Sequence, residues 1–196
     1  NIWRAPTDND MYIKQEWKKA HYDAAYTRAY RIEVLQNKHG VLIMEHVAVV
    51  ADTVQKILDV KMTWKINEDG KIEAVIEAIK DKEFPDLPRF GIRMFLNKKM
   101  DEITYFGMGP QESYRDKHQA SCHGLFRSKV AQMHEDYIRP QENGSHYDCD
   151  YVELTNGQCG IAAVSKNPFS FNASVYTQEE LERVSHNYEL KESDSI

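Results

Sequence analysis

The sequence predicts an all-β fold, a large antiparallel sandwich with one or two short helices. Three observations carry that expectation. From Arg28 onward apolar residues recur at every second position over run after run, the period of a strand with one buried face. The runs are separated by turn residues, Asn37-Lys38-His39-Gly40, Asn67-Glu68-Asp69-Gly70, Asn156-Gly157 and Asn167-Pro168, which is hairpin chemistry. Only two stretches carry the spacing of a helix. With 196 residues, 41% of them hydrophobic, and with 11 Tyr, 7 Phe and 3 Trp, the chain can bury a sizeable core, so a single sandwich domain over residues 1–196 is expected.

The elements follow in order. Pro6-Thr7-Asp8-Asn9-Asp10 is a polar turn whose short side chains can bond their own backbone. In Tyr12 to Tyr22, Ile13, Trp17 and Ala20 are spaced for one short amphipathic helix. Ala29–Leu35 and Val41–Val50 flank the first turn. Ile57–Ile66 alternates, with Leu58, Val60, Met62, Trp64 and Ile66 opposite Ile57, Asp59, Lys61, Thr63 and Lys65, and Ile72–Ile79 puts Ile72, Ala74, Ile76 and Ala78 on one face. These read as a meander of half-buried strands. Phe84 to Gly91 is an extended crossing, since Pro85 and Pro88 deny both helix and inner strand. Ile92–Leu96, Ile103–Phe106, Asp150–Leu154, Gly160–Ser165 and Phe169–Val175 are further strands. Thr177-Gln178-Glu179-Glu180 starts a capping box and a helix through Leu181, Val184 and His186. About ten strands with two short helices fit a sandwich.

Charge and cysteine usage exclude several functions. A net charge of −6 without a basic stripe disfavours nonspecific nucleic-acid and anionic-membrane binding. Cys122, Cys149 and Cys159 have no zinc-ligand spacing, and an odd count closes no disulfide framework. The eight histidines form no HExxH or tight His/Cys cluster, so no metal site is expected. No apolar run approaches the ~18 residues of a membrane span. The chain reads as a fragment truncated at both ends, and localisation is left open.

Chemistry concentrates between Ile103 and Gly144. A strand-like run twice delivers Pro-Gln-Glu, as Pro110-Gln111-Glu112 and, after Tyr137-Ile138-Arg139, as Pro140-Gln141-Glu142. Proline holds each tripeptide in a rigid turn at a strand end. Paired amides and carboxylates suit two tasks: gripping a hydroxyl-rich ligand such as a sugar, or fixing neighbouring loops. Asp8, Asp10, Glu112 and Glu142 all lie in predicted rigid loops, so a carboxylate dyad for glycoside hydrolysis, a sugar-binding sandwich and a scaffold module all stand as readings of the residues.

Five motifs stand in register along the chain: Trp3-Arg4-Ala5-Pro6-Thr7-Asp8-Asn9-Asp10, Leu87-Pro88-Arg89-Phe90-Gly91, Tyr105-Phe106-Gly107-Met108-Gly109-Pro110-Gln111-Glu112-Ser113-Tyr114, Tyr137 to Gly144, and Asn167-Pro168-Phe169-Ser170-Phe171-Asn172. Together they resemble the C-terminal, small-chain domain of glycoside hydrolase family 2 β-galactosidases. The resemblance implies a supersandwich similar to galactose mutarotase, packed against the catalytic TIM barrel of a multidomain, usually homo-oligomeric enzyme that hydrolyses terminal β-D-galactosyl residues. It places the catalytic carboxylates in the barrel and any Mg or Na ions in other domains, leaving no catalytic residue and no cofactor here. It further implies that Arg4, Asp8, Asn9, Asp10, Glu112, Arg139, Gln141 and Glu142 gather at one end of the sandwich, shaping the rim of a β-galactoside pocket and the domain interface. A free-standing carbohydrate-binding or mutarotase-like module is the alternative.

Overall fold

The computed structural model describes the backbone of residues 1–196 and every side chain but that of Asn37, so the part of the first turn resting on that side chain lies outside the described residues. Contacts divide the chain into two compact units, Asn1–Trp3 with Asp10–Gly91, and Arg4–Asn9 with Ile92–Ile196. The all-β class holds, with one four-stranded antiparallel sheet in each unit.

The first unit holds α1 (Ile13–Lys19) and the strands β1 (Tyr26–Asn37), β2 (Gly40–Val50), β3 (Lys56–Asn67) and β4 (Ile72–Lys80), ordered β1-β2-β3-β4 as the meander required. β1 and β2 close from Asn37 paired with Gly40 across Lys38 and His39. Gly40 has φ +150, and a Cβ there would fall on the Ile66 carbonyl, so only glycine admits the third strand this closely.

α1 is shorter than its spacing predicts. His21 takes φ 56, its N–H bonds the Lys18 carbonyl at 3.0 Å, and the Tyr22 N–H bonds the Trp17 carbonyl at 3.1 Å; this Schellman motif stops the helix. Trp17 is buried while Ile13 is 39% exposed. Trp17 Nε1 donates to the Asp86 carbonyl at 2.8 Å and Tyr22 Oη to that of Pro85 at 2.7 Å, so the helix end pins the two-proline crossing. Burial pushes the Tyr22 phenol up to about 12.

The core gathers Trp3, Trp17, Tyr22, Val47, Ile57, Leu58 and Val60 at one end of the sheet. Ile57 departs from the expected outward face. Val49 pairs with Leu58 and Val50 with Lys56, so Ile57 is the extra residue of a bulge and turns inward beside Leu58. β4 departs as well: Ile72, Ala74 and Ala78 are exposed and Ile76, which packs against the core, is half-buried; at Ile72 and Ala74 this edge strand runs on beyond the end of the sheet where the core lies.

The second unit holds β5 (Glu102–Gly109), β6 (Cys122–Lys129), β7 (Ser145–Thr155), β8 (Gly160–Asn172) and α2 (Gln178–Arg183), with strand order β6-β5-β7-β8. Its core is built from Ile103, Tyr105, Val130, Met133, Cys149, Val152, Ala173 and Val175.

Several expectations are corrected here. Ile92–Leu96 forms no strand; it is tied down by Arg93, whose Nη1 and Nη2 donate to the Glu179 carboxylate at 2.6 and 2.8 Å, and at its end through Leu96 N–H to the Ile196 carbonyl at 2.7 Å and the reciprocal bond at 3.1 Å. Tyr137-Ile138-Arg139 is irregular too. β6 was not legible, since it is an edge strand around Gly124 whose apolar anchor is half-buried Phe126, paired with Tyr105. β8 runs through Asn167-Pro168: Tyr151 pairs with Val164 but Cys149 with Phe169, so the intervening residues bulge from one strand, which ends at Asn172. In α2 the Thr177 hydroxyl accepts the Glu180 N–H at 3.1 Å as predicted. The Glu180 carboxylate instead takes Arg183 Nε at 3.0 Å and the Lys191 N–H at 3.0 Å, and the helix ends before Val184. Among the described residues no helix is long and apolar enough to cross a membrane.

Candidate functional site

The sheet order brings the two Pro-Gln-Glu loops together. β5 and β7 are antiparallel neighbours, so the chain leaving β5 at Gly109 and the chain entering β7 at Ser145 lie at the same end of the sheet. Pro110 follows β5 directly, and Pro140-Gln141-Glu142 enters β7 through Asn143 and Gly144. The Ser113 N–H bonds the Ser145 carbonyl at 2.7 Å, and the Ser113 hydroxyl accepts the Tyr147 N–H at 2.9 Å while donating to the Met108 carbonyl at 3.1 Å.

Glu112 is the hub. It is 9% exposed. Lys117 Nζ at 2.5 Å and the Tyr137 hydroxyl both donate to its Oε1. The Gly144 N–H at 2.9 Å and the Tyr114 hydroxyl at 3.3 Å donate to its Oε2. Lys117 arrives because Tyr114 and Lys117 exchange backbone bonds of 2.7 and 3.0 Å, a tight turn that folds the lysine back. Burial pushes the Glu112 carboxyl up, and the donors Lys117, Tyr137 and Gly144 more than reverse it, holding it below the usual carboxylate range. The same bonds, with Glu112 first among them, raise Lys117. Gly144 sits at φ +71, where a Cβ would strike the Met133 carbonyl oxygen, so the Glu112-bound amide comes from a position only glycine fills without strain.

The second tripeptide is engaged just as fully. Gln141 Oε1 accepts the Asp8 N–H at 2.9 Å, and Gln141 Nε2 donates to Asp8 Oδ2 at 3.0 Å, a reciprocal clamp across 133 positions of sequence. Asn143 donates to the Gln141 carbonyl at 2.9 Å and accepts the Glu135 N–H at 3.0 Å. Asn172 donates to the Asn143 carbonyl and to Glu142 Oε1, the latter at 3.4 Å. Beneath them His146 is buried between Tyr105 and Phe171, with Nδ1 3.0 Å from the Met108 carbonyl, and burial lowers its pKa.

Of the residues singled out from sequence, Asp8 and Gln141 meet directly, and Glu112 and Glu142 join the same network through Gly144, Asn143 and Asn172. Asn9 and Arg139 are exposed, Arg4 is half-buried, and Asp10 is buried in the first unit. Sequence reasoning missed Lys117, Tyr114, Asn172 and His146 as members. Tyr114 and Asn172 stood inside quoted motifs, but nothing local marks Lys117 as the partner of Glu112.

Chemically, this arrangement fixes loops. A carboxylate with four donors has no lone pair poised for a substrate, so Glu112 suits neither proton transfer nor nucleophilic attack. The loops present to solution the exposed groups Asp8, Asn9, Arg139 and Lys117, and Ile138, which is 99% exposed. No group of three or more His, Cys, Asp or Glu side chains suited to a metal occurs among the described residues.

Comparison with known proteins gives one consistent result. A family model described as beta galactosidase small chain matches residues 1–196. A beta-galactosidase of Actinobacillus pleuropneumoniae is 47% identical over 194 residues, 99% of this chain and 19% of that protein. One from Staphylococcus xylosus is 36% identical over 99% of this chain and 20% of that protein. One from Streptococcus thermophilus is 27% identical over 98% of this chain and 19% of that protein. The chain thus spans about a fifth of the length of the curated relatives it matches.

Proposed function

This chain belongs to the β-galactosidase small-chain family, and from that premise we propose that it is one part of an enzyme hydrolysing terminal β-D-galactosyl residues, with the catalytic carboxylates elsewhere in the polypeptide. Its part is to hold the Asp8, Pro110 to Glu112 and Pro140 to Glu142 loops as a rigid surface that shapes the rim of the galactoside pocket and packs against the domain bearing the chemistry. The observation that carries this reading is the saturation of Glu112 and Gln141: the hydrogen bonds of both side chains go to other groups of these loops and turns, so the network preorganises a surface. Any Mg or Na ions of the enzyme are held in other domains.

The test is kinetic. The full-length protein should turn over a chromogenic β-galactoside. Glu142→Gln and Gln141→Ala should raise KM or weaken assembly and leave kcat within about tenfold, since they disturb a rim and not a reacting group. A collapse of kcat by several orders of magnitude in Glu142→Gln would overturn the assignment. Sugar binding or anomer exchange by residues 1–196 alone, together with no hydrolysis by the full-length protein, would favour a binding or mutarotase-like module instead.

A further inference from the structure

Paired residues of an antiparallel sheet share a face, so the register of the first sheet sorts its side chains into two sets. Val34 pairs with Ile43, Ile43 with Trp64, and Ile66 with Ile72; these and Ile32 lie on one face. The opposite face is mixed, carrying Arg31, Glu33, His46, Lys61 and Glu77 among the apolar Leu35, Met44 and Val75. Near Leu58 and Val60 the apolar face is buried in the core. Farther along, Ile32, Val34 and Ile72 are 55, 59 and 57% exposed, and Ile43, Trp64 and Ile66 are half-buried. Even the carboxylate on this face, Glu45, is tied to protein, accepting from Trp64 Nε1 at 3.1 Å. A contiguous apolar strip that continues a core forgoes about 25 cal/mol per Å² while it stays wet, and such patches mark interaction surfaces.

We infer that this face docks a further stretch of the same polypeptide, one that lies outside residues 1–196 and is apolar on its contacting side. The inference rests on the reading that this chain is part of a longer family protein. Its relatives carry about four fifths of their length outside the matched region, so the covering segment has ample chain to come from. A tethered segment meets the face at an effective concentration of about a millimolar or more, which favours it over a second molecule. Continuity with the core gives the surface the character of a domain core cut in half, as permanent interfaces have.

The test places a photoreactive benzoylphenylalanine at Val34, and in a second variant at Ile72, of the full-length protein. Light- and heavy-isotope copies are mixed and irradiated, and the cross-linked peptides are sequenced. Cross-links within one isotope population to peptides outside residues 1–196 are expected. Cross-links between light and heavy copies, cross-links confined to residues 1–196, or none at all overturn the inference. Hydroxyl-radical footprinting of the unsubstituted protein checks the result without variants: Ile32 and Ile72, more than half exposed within residues 1–196, should oxidise roughly tenfold more slowly than after unfolding, and equal rates refute the docking. Hydrolysis of a β-galactoside is assayed on the same sample. Cross-links to outside peptides without hydrolysis would sink the functional reading and leave this one standing.

Discussion

In the first unit the buried side chains are apolar, Trp17, Tyr22, Ile57 and Leu58 among them, and Asp10 is the buried carboxylate. The second unit buries Glu112, Ser113, Gln141, Glu142, Asn143, Ser145 and His146 beside Ile103 and Tyr105. The difference shows what each sheet end is for. Apolar burial is non-directional and tolerates an edge such as β4 whose side chains stay exposed. A buried polar network is tolerated only when every member is satisfied, so it fixes each loop in one geometry, at the risk of a large loss when one partner goes.

The strongest way to probe the contrast is Trp17→Ala. It empties the first core and frees the Asp86 carbonyl, and should cost about 3–5 kcal/mol, read as lost hydrogen-exchange protection in β2 and β3. If Glu112→Ala, read in β5 and β7, costs about 3 kcal/mol, the polar hub rivals a core residue, because it strands the Gly144 N–H and two tyrosine hydroxyls. A cost under about 1 kcal/mol would mean water replaces the carboxylate, and the contrast would fail. Gly144→Ala should follow at about 2 kcal/mol, from a strained φ and the clash with the Met133 carbonyl.

Acid should separate the two regions as well. Burial lowers His146, so its stabilising neutral state is fully present above its ordinary value of 6.5, and stability falls as pH drops from there toward the folded pKa. Glu112, also lowered in the fold, adds a second loss as pH falls below its ordinary value of 4.5. Exchange protection of β5 and β7 should therefore decline in two stages, and His146→Phe should remove the first. Persistence of that stage in His146→Phe would assign it to another group, with His134, also lowered by burial, the next to test. The smallest effect belongs to Lys117→Met. Its side chain is 59% exposed, so losing the ion pair should cost under about 1 kcal/mol despite the 2.5 Å contact.

The sequence by itself determined the all-β class, the meander β1 to β4, the hydroxyl cap of α2 and the existence of two rigid Pro-Gln-Glu loops, because period, turn chemistry and proline geometry are local properties. Even the rank of Glu112, Gln141 and Glu142 as residues to watch came from local pattern. Tertiary structure alone decided that Asp8 clamps Gln141 across 133 positions, that Lys117 folds back on Glu112, that Ile57 turns inward at a bulge, and that β6 pairs with β5. Each of these depends on which strands become neighbours, and a pairing between distant segments leaves no mark on the spacing of residues within either one.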